Sequence, residues 1–247
     1  MKLITLNIWG GQVYEPFLKF LEDHSGEVDI FCFQEDLDNP PEGGSRLQPY
    51  KRQDIDQDIR KVLSDFDGWM APMQEREESP AMYVKKNIVV RKKGEEYVYR
   101  WKNAMVGDDA STYGVNIQYA EIEKGERAYW IGNMHGHWTP NFKGDDEARL
   151  EQSRNVVKFL GSIPGPKVLC GDFNMDPSTQ SMAILEKEAN LRNLVKEYGV
   201  SSTRSRFHEK GSKFADYIMV SPEVRVKDFK VMPDEVSDHL PLLVEFE

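Results

Sequence analysis

The chain has 247 residues, of which 39% are hydrophobic and 11% aromatic, so it can bury a large core and is not expected to be disordered. Lysine and arginine total 32 against 42 aspartate and glutamate residues, which gives a net charge of −10. This balance argues against broad, non-specific binding to duplex nucleic acid or to an anionic membrane, although it leaves room for a local basic groove.

The cysteine content and the apolar runs indicate a cytoplasmic protein. Cys32 and Cys170 each lie in an apolar run and lack the partner spacing of a zinc site, so we expect buried free thiols in a reducing compartment. The apolar N-terminus is too short for a secretory signal, and no apolar stretch approaches the length of a membrane span. We therefore predict no membrane span, and no protein partner is predicted.

Short apolar runs recur along the chain and predict a strand-rich fold. Taken in chain order, they cover residues 3–9, 28–33, 81–90, 113–122, 128–134, 167–171, 216–221 and 240–246. Helical spacing falls between some of them, in three groups: Tyr14, Phe17, Leu18 and Leu21; Leu150, Val156, Val157 and Leu160; and Met182, Leu185, Ala189 and Leu194. Several strands follow one another with no helix between them, which favours an α/β sandwich with mixed sheets over a doubly wound parallel sheet. With no repeat or low-complexity linker visible, we expect a single domain over residues 1–247.

The stretch VLCGDFNMDP, residues 168–177, shows how these runs end. An apolar strand leads directly into Asp172 and Asn174, and five other runs also meet a polar residue at one end. Four of the six runs carry it at their C-terminal end and two at their N-terminal end, at Asp216 and at Asp238-His239. Each residue alone is compatible with a turn, a helix cap or a solvated side chain. Their recurrence at six strand ends predicts that they meet at one edge of the packed sheets.

The motifs at these strand ends resemble those of a known family. In order, LNIWGG, FQED, GNMHGH, GDFNMDP, ADYIMVS and SDHLPL are similar to the motifs of the endonuclease/exonuclease/phosphatase superfamily. That superfamily includes pancreatic-type deoxyribonucleases, AP endonucleases, inositol polyphosphate 5-phosphatases, neutral sphingomyelinases and deadenylases. The resemblance covers residues 5–243 and implies a deoxyribonuclease I-like, four-layer α/β/β/α sandwich of two packed mixed sheets, with the site at one edge.

The resemblance also implies a metal site. Glu35 would be the main metal carboxylate, with Asn7 and Asp238 beside the metal. Carboxylates brought together repel one another unless a cation neutralises them, and all-oxygen ligands suit Mg²⁺, with Mn²⁺ as a substitute. One metal ion or two remains open.

Five further residues are implied to carry out the chemistry. His135 would contact the scissile phosphate, Asp172 and Asn174 would flank the phosphate and the attacking water, and His239, oriented by Asp216, would act in proton transfer. A histidine paired with a carboxylate is fixed in tautomer and made more basic, and an amide can donate to a phosphate oxygen without adding charge. His137 is an alternative candidate for the phosphate contact. We prefer His135, because Asn133 stands two residues before it, as in the family's N-x-H pattern.

Specialised branches of the superfamily are not supported. The chain continues FQEDLDN without the lysine that often follows the metal glutamate in AP endonucleases, and KFADYIM has Tyr217 where inositol 5-phosphatases carry an arginine. The loop at residues 203–213 contains Arg204, Arg206 and Lys213 and is either a phosphate-binding loop or an ordinary solvated loop. Trp138 is available to stack on a base or ring, or to pack within its own loop.

The function we expect is a Mg²⁺-dependent phosphoesterase that hydrolyses a phosphodiester or phosphomonoester by water attack. The acidic net charge favours a small molecule or a short nucleic acid over long duplex DNA. An endo- or exonuclease acting on DNA or RNA is the alternative enzyme. A catalytically inactive module that binds a phosphorylated ligand is the alternative of another class, and it is disfavoured because Glu35, Asp172 and His239 are all present.

Overall fold

The computed structural model describes residues 1–38, 52–72, 78–100, 114–139 and 143–247. Within these ranges the chain forms two six-stranded sheets. The strands of the first sheet are β1 (Lys2–Asn7), β2 (Ile30–Leu37), β3 (Phe66–Met70), β4 (Glu78–Lys85), β11 (Val226–Val231) and β12 (Leu242–Phe246). Their spatial order is β11-β12-β1-β2-β4-β3, in which β1 and β2 are parallel and the other neighbours antiparallel.

The second sheet is also mixed. Its strands are β5 (Val89–Tyr99), β6 (Val115–Lys124), β7 (Arg127–His135), β8 (Lys167–Asp172), β9 (Arg192–Asn193) and β10 (Asp216–Val220). They lie in the order β5-β6-β7-β8-β10-β9, with β7 and β8 parallel and the other neighbours antiparallel.

Helices cover the outer face of each sheet. They are α1 (Tyr14–Ser25), α2 (Ile55–Val62), α3 (Glu147–Gly161), α4 (Gln180–Glu188) and α5 (Leu194–Glu197), with a short 3₁₀ turn at Trp9–Gly11. On α1, Phe17 and Leu21 pack with Ile4 and Leu6 of β1 in one apolar cluster. On α3, Phe159 contacts the rings of Tyr119 and Trp130 on the second sheet. The four-layer α/β/β/α arrangement and the mixed sheets are therefore confirmed.

A buried polar network joins the inner faces of the two sheets near the polar strand ends. Asn133 of β7 donates to the backbone carbonyls of Phe33 and Ala81, at 2.9 and 3.1 Å, and accepts from Gln34 Nε2 at 2.7 Å. Gln34 also donates to Thr5 Oγ1 at 3.1 Å. Buried polar groups of this kind are stable only when they are hydrogen-bonded, so the network fixes the relative position of the sheets beside the site.

The structure differs from the sequence prediction in several elements. The predicted strand 81–90 is divided between β4 and β5, while β3, β9, β11 and α2 were not predicted. Leu194 begins α5 instead of extending α4, because Asn193 ends β9 and caps the new helix through its side chain. On α3, Leu150 is only partly buried and the adjacent Arg149 is fully buried.

Both cysteines are free and buried, as predicted. Among the described residues, no helix combines the length and the apolar character needed to cross a bilayer.

Candidate active site

The polar strand ends of the two sheets meet at one edge of the sandwich. Asn7 and Glu35 come from β1 and β2 of the first sheet, and Asp172 comes from β8 of the second. Asn7 Nδ2 donates to Glu35 Oε1 at 3.0 Å and to Asp172 Oδ2 at 3.1 Å, so one amide bridges carboxylates of both sheets. The oxygen of that amide accepts from the backbone N–H of Trp9 at 2.9 Å, which fixes the orientation of the side chain.

Glu35 is positioned by an irregularity in its strand. The sequence predicted that the run ends here, whereas β2 continues to Leu37 after a register shift between Phe33 and Asp36. Glu35 has a φ of +60°, a conformation that is unfavourable for a residue with a long side chain. Bulges and strained residues of this kind concentrate at functional sites, where they redirect a side chain.

A glycine allows His135 and Asp172 to lie side by side. The parallel pairing of β7 and β8 places these two residues in register, and His135 Nε2 lies 3.9 Å from Asp172 Oδ2. The preceding residue, Gly171, has a φ of +131°, and a Cβ there would lie 2.0 Å from the carbonyl oxygen of Met134. Any larger residue would have to push the two strands apart, so glycine is required for this approach.

His239 and Asp216 form a buried pair. The Nδ1 atom of His239 lies 2.8 and 2.9 Å from the two carboxylate oxygens of Asp216, and Thr203 Oγ1 donates to Asp216 Oδ2 at 2.9 Å. Because a carboxylate only accepts, the imidazole carries its proton on Nδ1, which leaves Nε2 able to accept another. Burial and Arg204 lower the pKa of His239, but the negative charges of Asp216 and Asp238 outweigh them and raise it above its usual value.

Asp172 lies at the centre of the site. Its Oδ2 is 3.7 Å from His239 Nε2, and its Oδ1 accepts from the backbone N–H of Asn174 at 2.9 Å. Burial opposes the ionisation of Asp172, yet the positive charges of His239, Lys143, His135 and Arg204 hold its pKa well below the usual range. Asp172 is therefore an ionised acceptor, which bonds the turn that follows β8 through Oδ1 and faces Asn7 and His239 through Oδ2.

Asp238, which lies between β11 and β12, is surrounded by cationic groups. Arg204 Nη1 lies 3.3 Å from Asp238 Oδ2, and His208 Nδ1 lies 3.4 Å from the same oxygen. Burial raises the pKa of Asp238, but the interactions with His239, His208 and Arg204 together lower it. Arg204 Nη1 also contacts Nε2 of His239, so Arg204 connects Asp238 to His239.

Two cations near the site were missed by the sequence analysis. Lys143 donates from Nζ to Asn174 Oδ1. Arg149 is fully buried on α3 and donates to the carbonyl of Asn174 at 3.2 Å, to Thr139 Oγ1 at 2.9 Å and to Asp146. Arg149 therefore connects the turn after β8 to the segment after His135. The signal that would have found it is a charged residue at a core position of the helical period.

The predicted substrate-binding residues are distributed differently. Arg204 joins the contacts described above, with a side chain that is 7% exposed. Arg206 is 72% exposed and pairs with Glu235 at 3.0 Å, and Lys213 is also exposed. Trp138 is partly buried, with Lys210 Nζ 5.7 Å from its ring centre. The structure thus brings Arg204, and not Arg206 or Lys213, to the carboxylates.

His135, the last residue of β7, and His137, two residues later, have different surroundings. His135 faces Asp172, whereas His137 packs against the ring of Tyr99, with the ring centres 5.0 Å apart. The backbone N–H of His137 donates to Gln152 Oε1 on α3 at 2.8 Å.

A sequence model described as the Endonuclease/Exonuclease/phosphatase family matches residues 4–239, a span that contains the whole site from Asn7 to His239. The chain belongs to the endonuclease/exonuclease/phosphatase family. This member of the family is a hydrolase that acts on phosphoester bonds. No curated protein sequence is similar enough to the chain to count as a match.

Solved structures show the same fold at low sequence identity. A Bacteroides thetaiotaomicron protein of the endonuclease/exonuclease/phosphatase family is 18% identical with a TM-score of 0.76, and the match covers 100% of this chain and 94% of that one. A mannosyl-6-phosphatase from the same species is 18% identical with a TM-score of 0.74, covering 100% and 99% of the two chains. The human Nocturnin catalytic domain, solved with a bound sulfate, is 17% identical with a TM-score of 0.72, covering 100% and 93%. At these identities the likeness establishes the fold alone.

The carboxylates fit the divalent-metal dependence of the endonuclease/exonuclease/phosphatase family. Glu35 and Asp172 share one amide donor, and the charge of Glu35 raises the pKa of Asp238, so three acidic side chains lie close together. In the described part of the chain, Asp172, Asp216 and His239 also bring one potential ligand atom each within 4.8 Å of one another. Two of these three residues, His239 and Asp216, already bond each other.

Proposed function

We propose that this family member is a Mg²⁺-dependent phosphoesterase that hydrolyses a small or short phosphoester substrate by direct attack of water. The observation that carries the proposal is the connected set of side chains Glu35, Asn7, Asp172, His239 and Asp216 at one edge of the sandwich. This set contains acidic groups for a cation together with a proton acceptor, which are the two requirements of phosphoester hydrolysis.

Glu35 would hold the metal, with Asn7 and Asp238 beside it. All of these offer oxygen atoms, which suit Mg²⁺ and allow Mn²⁺ as a substitute. When bound, the ion supplies neutralisation of the negative charge on the phosphate and on the leaving oxygen.

Proton transfer would fall to His239. Nε2 would accept a proton from the attacking water while the water oxygen forms its bond to phosphorus and the bond from phosphorus to the leaving oxygen breaks. Asp216 keeps the other ring proton on Nδ1 and stabilises the positive charge that develops on the ring.

The phosphate would be held by His135 and Asn174. His135 lies beside Asp172 on the second sheet. Asn174 Nδ2 donates to the carbonyl of Gly136, the residue after His135, at 3.1 Å. Asp172 stays ionised and orients its neighbours through accepted hydrogen bonds.

The preference for a small or short substrate rests on charge. A long polyanion must be neutralised along its length, whereas the net charge is −10 and Arg206 of the basic loop is paired with Glu235. Arg206, Lys213 and Trp138 remain proposed contacts for the part of the substrate outside the reaction centre. The buried free cysteines fit a reducing compartment, and we propose that the protein is cytoplasmic.

The test is a panel of substrates assayed with Mg²⁺, with Mn²⁺ and with a chelator. A small aryl phosphoester, a short single strand and a long duplex are compared across salt concentrations. We expect metal-dependent turnover that is greatest on the small or short substrates. Preferential cleavage of the duplex would instead support an endonuclease. In that case the logarithm of the apparent affinity should fall with the logarithm of the salt concentration, with a slope of about −0.9 for each of several phosphates contacted. Absence of hydrolysis with either metal would remove the proposal.

A further inference from the structure

Lys143 is a partly buried cation that belongs to none of the roles assigned above. It lies just before α3, and its Nζ donates to Asn174 Oδ1. Within the described residues, the ammonium group bonds this amide, and no carboxylate lies within ion-pair distance of it. The charges of Asp172 and Asp216 favour the ammonium form without forming an ion pair with it. Burying an ammonium group without an ion pair is costly, so a cation held this way indicates an anionic ligand.

Arg204 is a second buried cation with unused donors. Its side chain is 7% exposed, and Nη1 makes its contacts with Asp238 and His239. Within the part of the chain that the structure describes, Nε is buried and has no hydrogen-bond partner. A guanidinium presents five N–H groups in a planar fork that matches the oxygens of a phosphate.

Each of the two cations is connected to Asp172 through one intermediate residue. Lys143 contacts Asn174, whose backbone N–H is bonded to Asp172 Oδ1 at 2.9 Å. Arg204 contacts His239, whose Nε2 lies 3.7 Å from Asp172 Oδ2. The charges of both cations also lower the pKa of Asp172, so a phosphate bound beside Asp172 would lie near an ammonium group and a guanidinium.

A terminal phosphate differs from a phosphodiester in charge and in oxygen count. A phosphomonoester carries a charge of about −1.5 to −2 at pH 7 and has three free oxygens. A phosphodiester keeps one negative charge and two free oxygens. Two cations stabilise the doubly charged group more strongly, because each of them gains a charge-assisted hydrogen bond to an unesterified oxygen.

We propose that Lys143 and Arg204 together bind the non-bridging oxygens of a terminal phosphate, and that the preferred substrate is a phosphomonoester. This inference rests on the proposed phosphoesterase function and specifies its substrate class. The two residues select the substrate through charge, whereas His239 and the metal carboxylates act on either kind of ester.

The experiment measures kcat/KM for p-nitrophenyl phosphate and for bis(p-nitrophenyl) phosphate with Mg²⁺. The two esters share a leaving group and differ in the charge on phosphorus. The native protein is compared with Lys143→Met and Arg204→Met, and with the controls Lys158→Met on the exposed side of α3 and Arg225→Met, whose side chain is 76% exposed. Lys143→Arg and Arg204→Lys keep the charge and report on folding, which is checked by thermal melting.

We expect the two methionine variants to lose about 10- to 100-fold on the monoester, as for one hydrogen bond to a charged group, and far less on the diester. The controls keep the native ratio between the two esters. Inorganic phosphate should inhibit the native protein more strongly than dimethyl phosphate does, a comparison that needs no variant.

Equal losses on both esters, or equal inhibition by the two anions, would overturn the assignment of Lys143 and Arg204 while leaving the phosphoesterase function intact. If the native protein hydrolyses neither ester with Mg²⁺ or Mn²⁺, the proposed function itself fails, and this inference fails with it.

Discussion

Replacing Gly171 by alanine should destabilise the fold at the point where the ends of β7 and β8 meet. The added Cβ would lie 2.0 Å from the carbonyl oxygen of Met134, and the φ of +131° is one that residues with a side chain rarely adopt. The backbone conformation costs about 1–3 kcal/mol, and the forced displacement of neighbouring strands costs about 1–3 kcal/mol more. The expected loss in free energy of unfolding is therefore about 2–6 kcal/mol.

Gly125→Ala is the matched control. Gly125 also has a positive φ, +66°, but nothing lies within 4 Å of the position that its Cβ would occupy. Its substitution should cost only the conformational penalty of about 1–2 kcal/mol. Urea denaturation followed by far-UV circular dichroism measures both variants. Equal losses of stability in the two variants would refute the argument that close approach of β7 and β8 requires glycine at residue 171.

Two other predictions concern the chemistry of the site. His239→Ala and Asp216→Ala should each reduce kcat by on the order of 10²-fold or more, and the double variant should be little worse than the worse single variant, because the pair acts as a unit; multiplying losses would show independent action. Burial lowers the pKa of Lys143 to about 8, so inhibition by inorganic phosphate should weaken as the pH rises from about 7 to about 9, since the charge of the amine is lost. Lys143→Arg stays charged, so its inhibition by phosphate should weaken less over the same pH range. Identical pH profiles for the native protein and Lys143→Arg would contradict this role of Lys143.

The sequence was most informative about the central strands. β1, β2, β7, β8, β10 and β12 are largely buried on both faces, so each is a nearly continuous apolar run with a polar residue at or near one end. The strands that were missed or merged, β3, β5, β9 and β11, are the four outer strands of the two sheets. Outer strands carry exposed and charged residues, as in the sequence VVRKKGEEYVY of β5, and this weakens their apolar signal.

The sequence predicted the site residues that lie at strand ends, but it did not predict the buried cations beside them. Asp172 follows an apolar run directly, so its position could be derived from the sequence. Lys143 lies just before α3 and Arg149 lies in its first turn, beside the acidic stretch GDDE, which looks like a solvated surface in the sequence. Arg204 and Arg206 are two residues apart in one loop, yet the first turns toward Asp238 and the second toward Glu235. The direction of a loop side chain depends on tertiary contacts that composition does not encode.

The most direct test of the account is Mg²⁺ binding and hydrolysis by Glu35→Gln. This change keeps the shape of the side chain and removes the charge, and Glu188→Gln on an exposed part of α4 is its control. Calorimetry should show that Glu35→Gln weakens Mg²⁺ binding by at least about 10-fold, because even the loss of a residue that only hydrogen-bonds a metal ligand has an effect of this size. Phosphoester hydrolysis should fall in parallel, and the melting temperature should be unchanged. Native Mg²⁺ affinity and native hydrolysis in the folded variant would contradict the assignment of the metal to this edge of the sandwich.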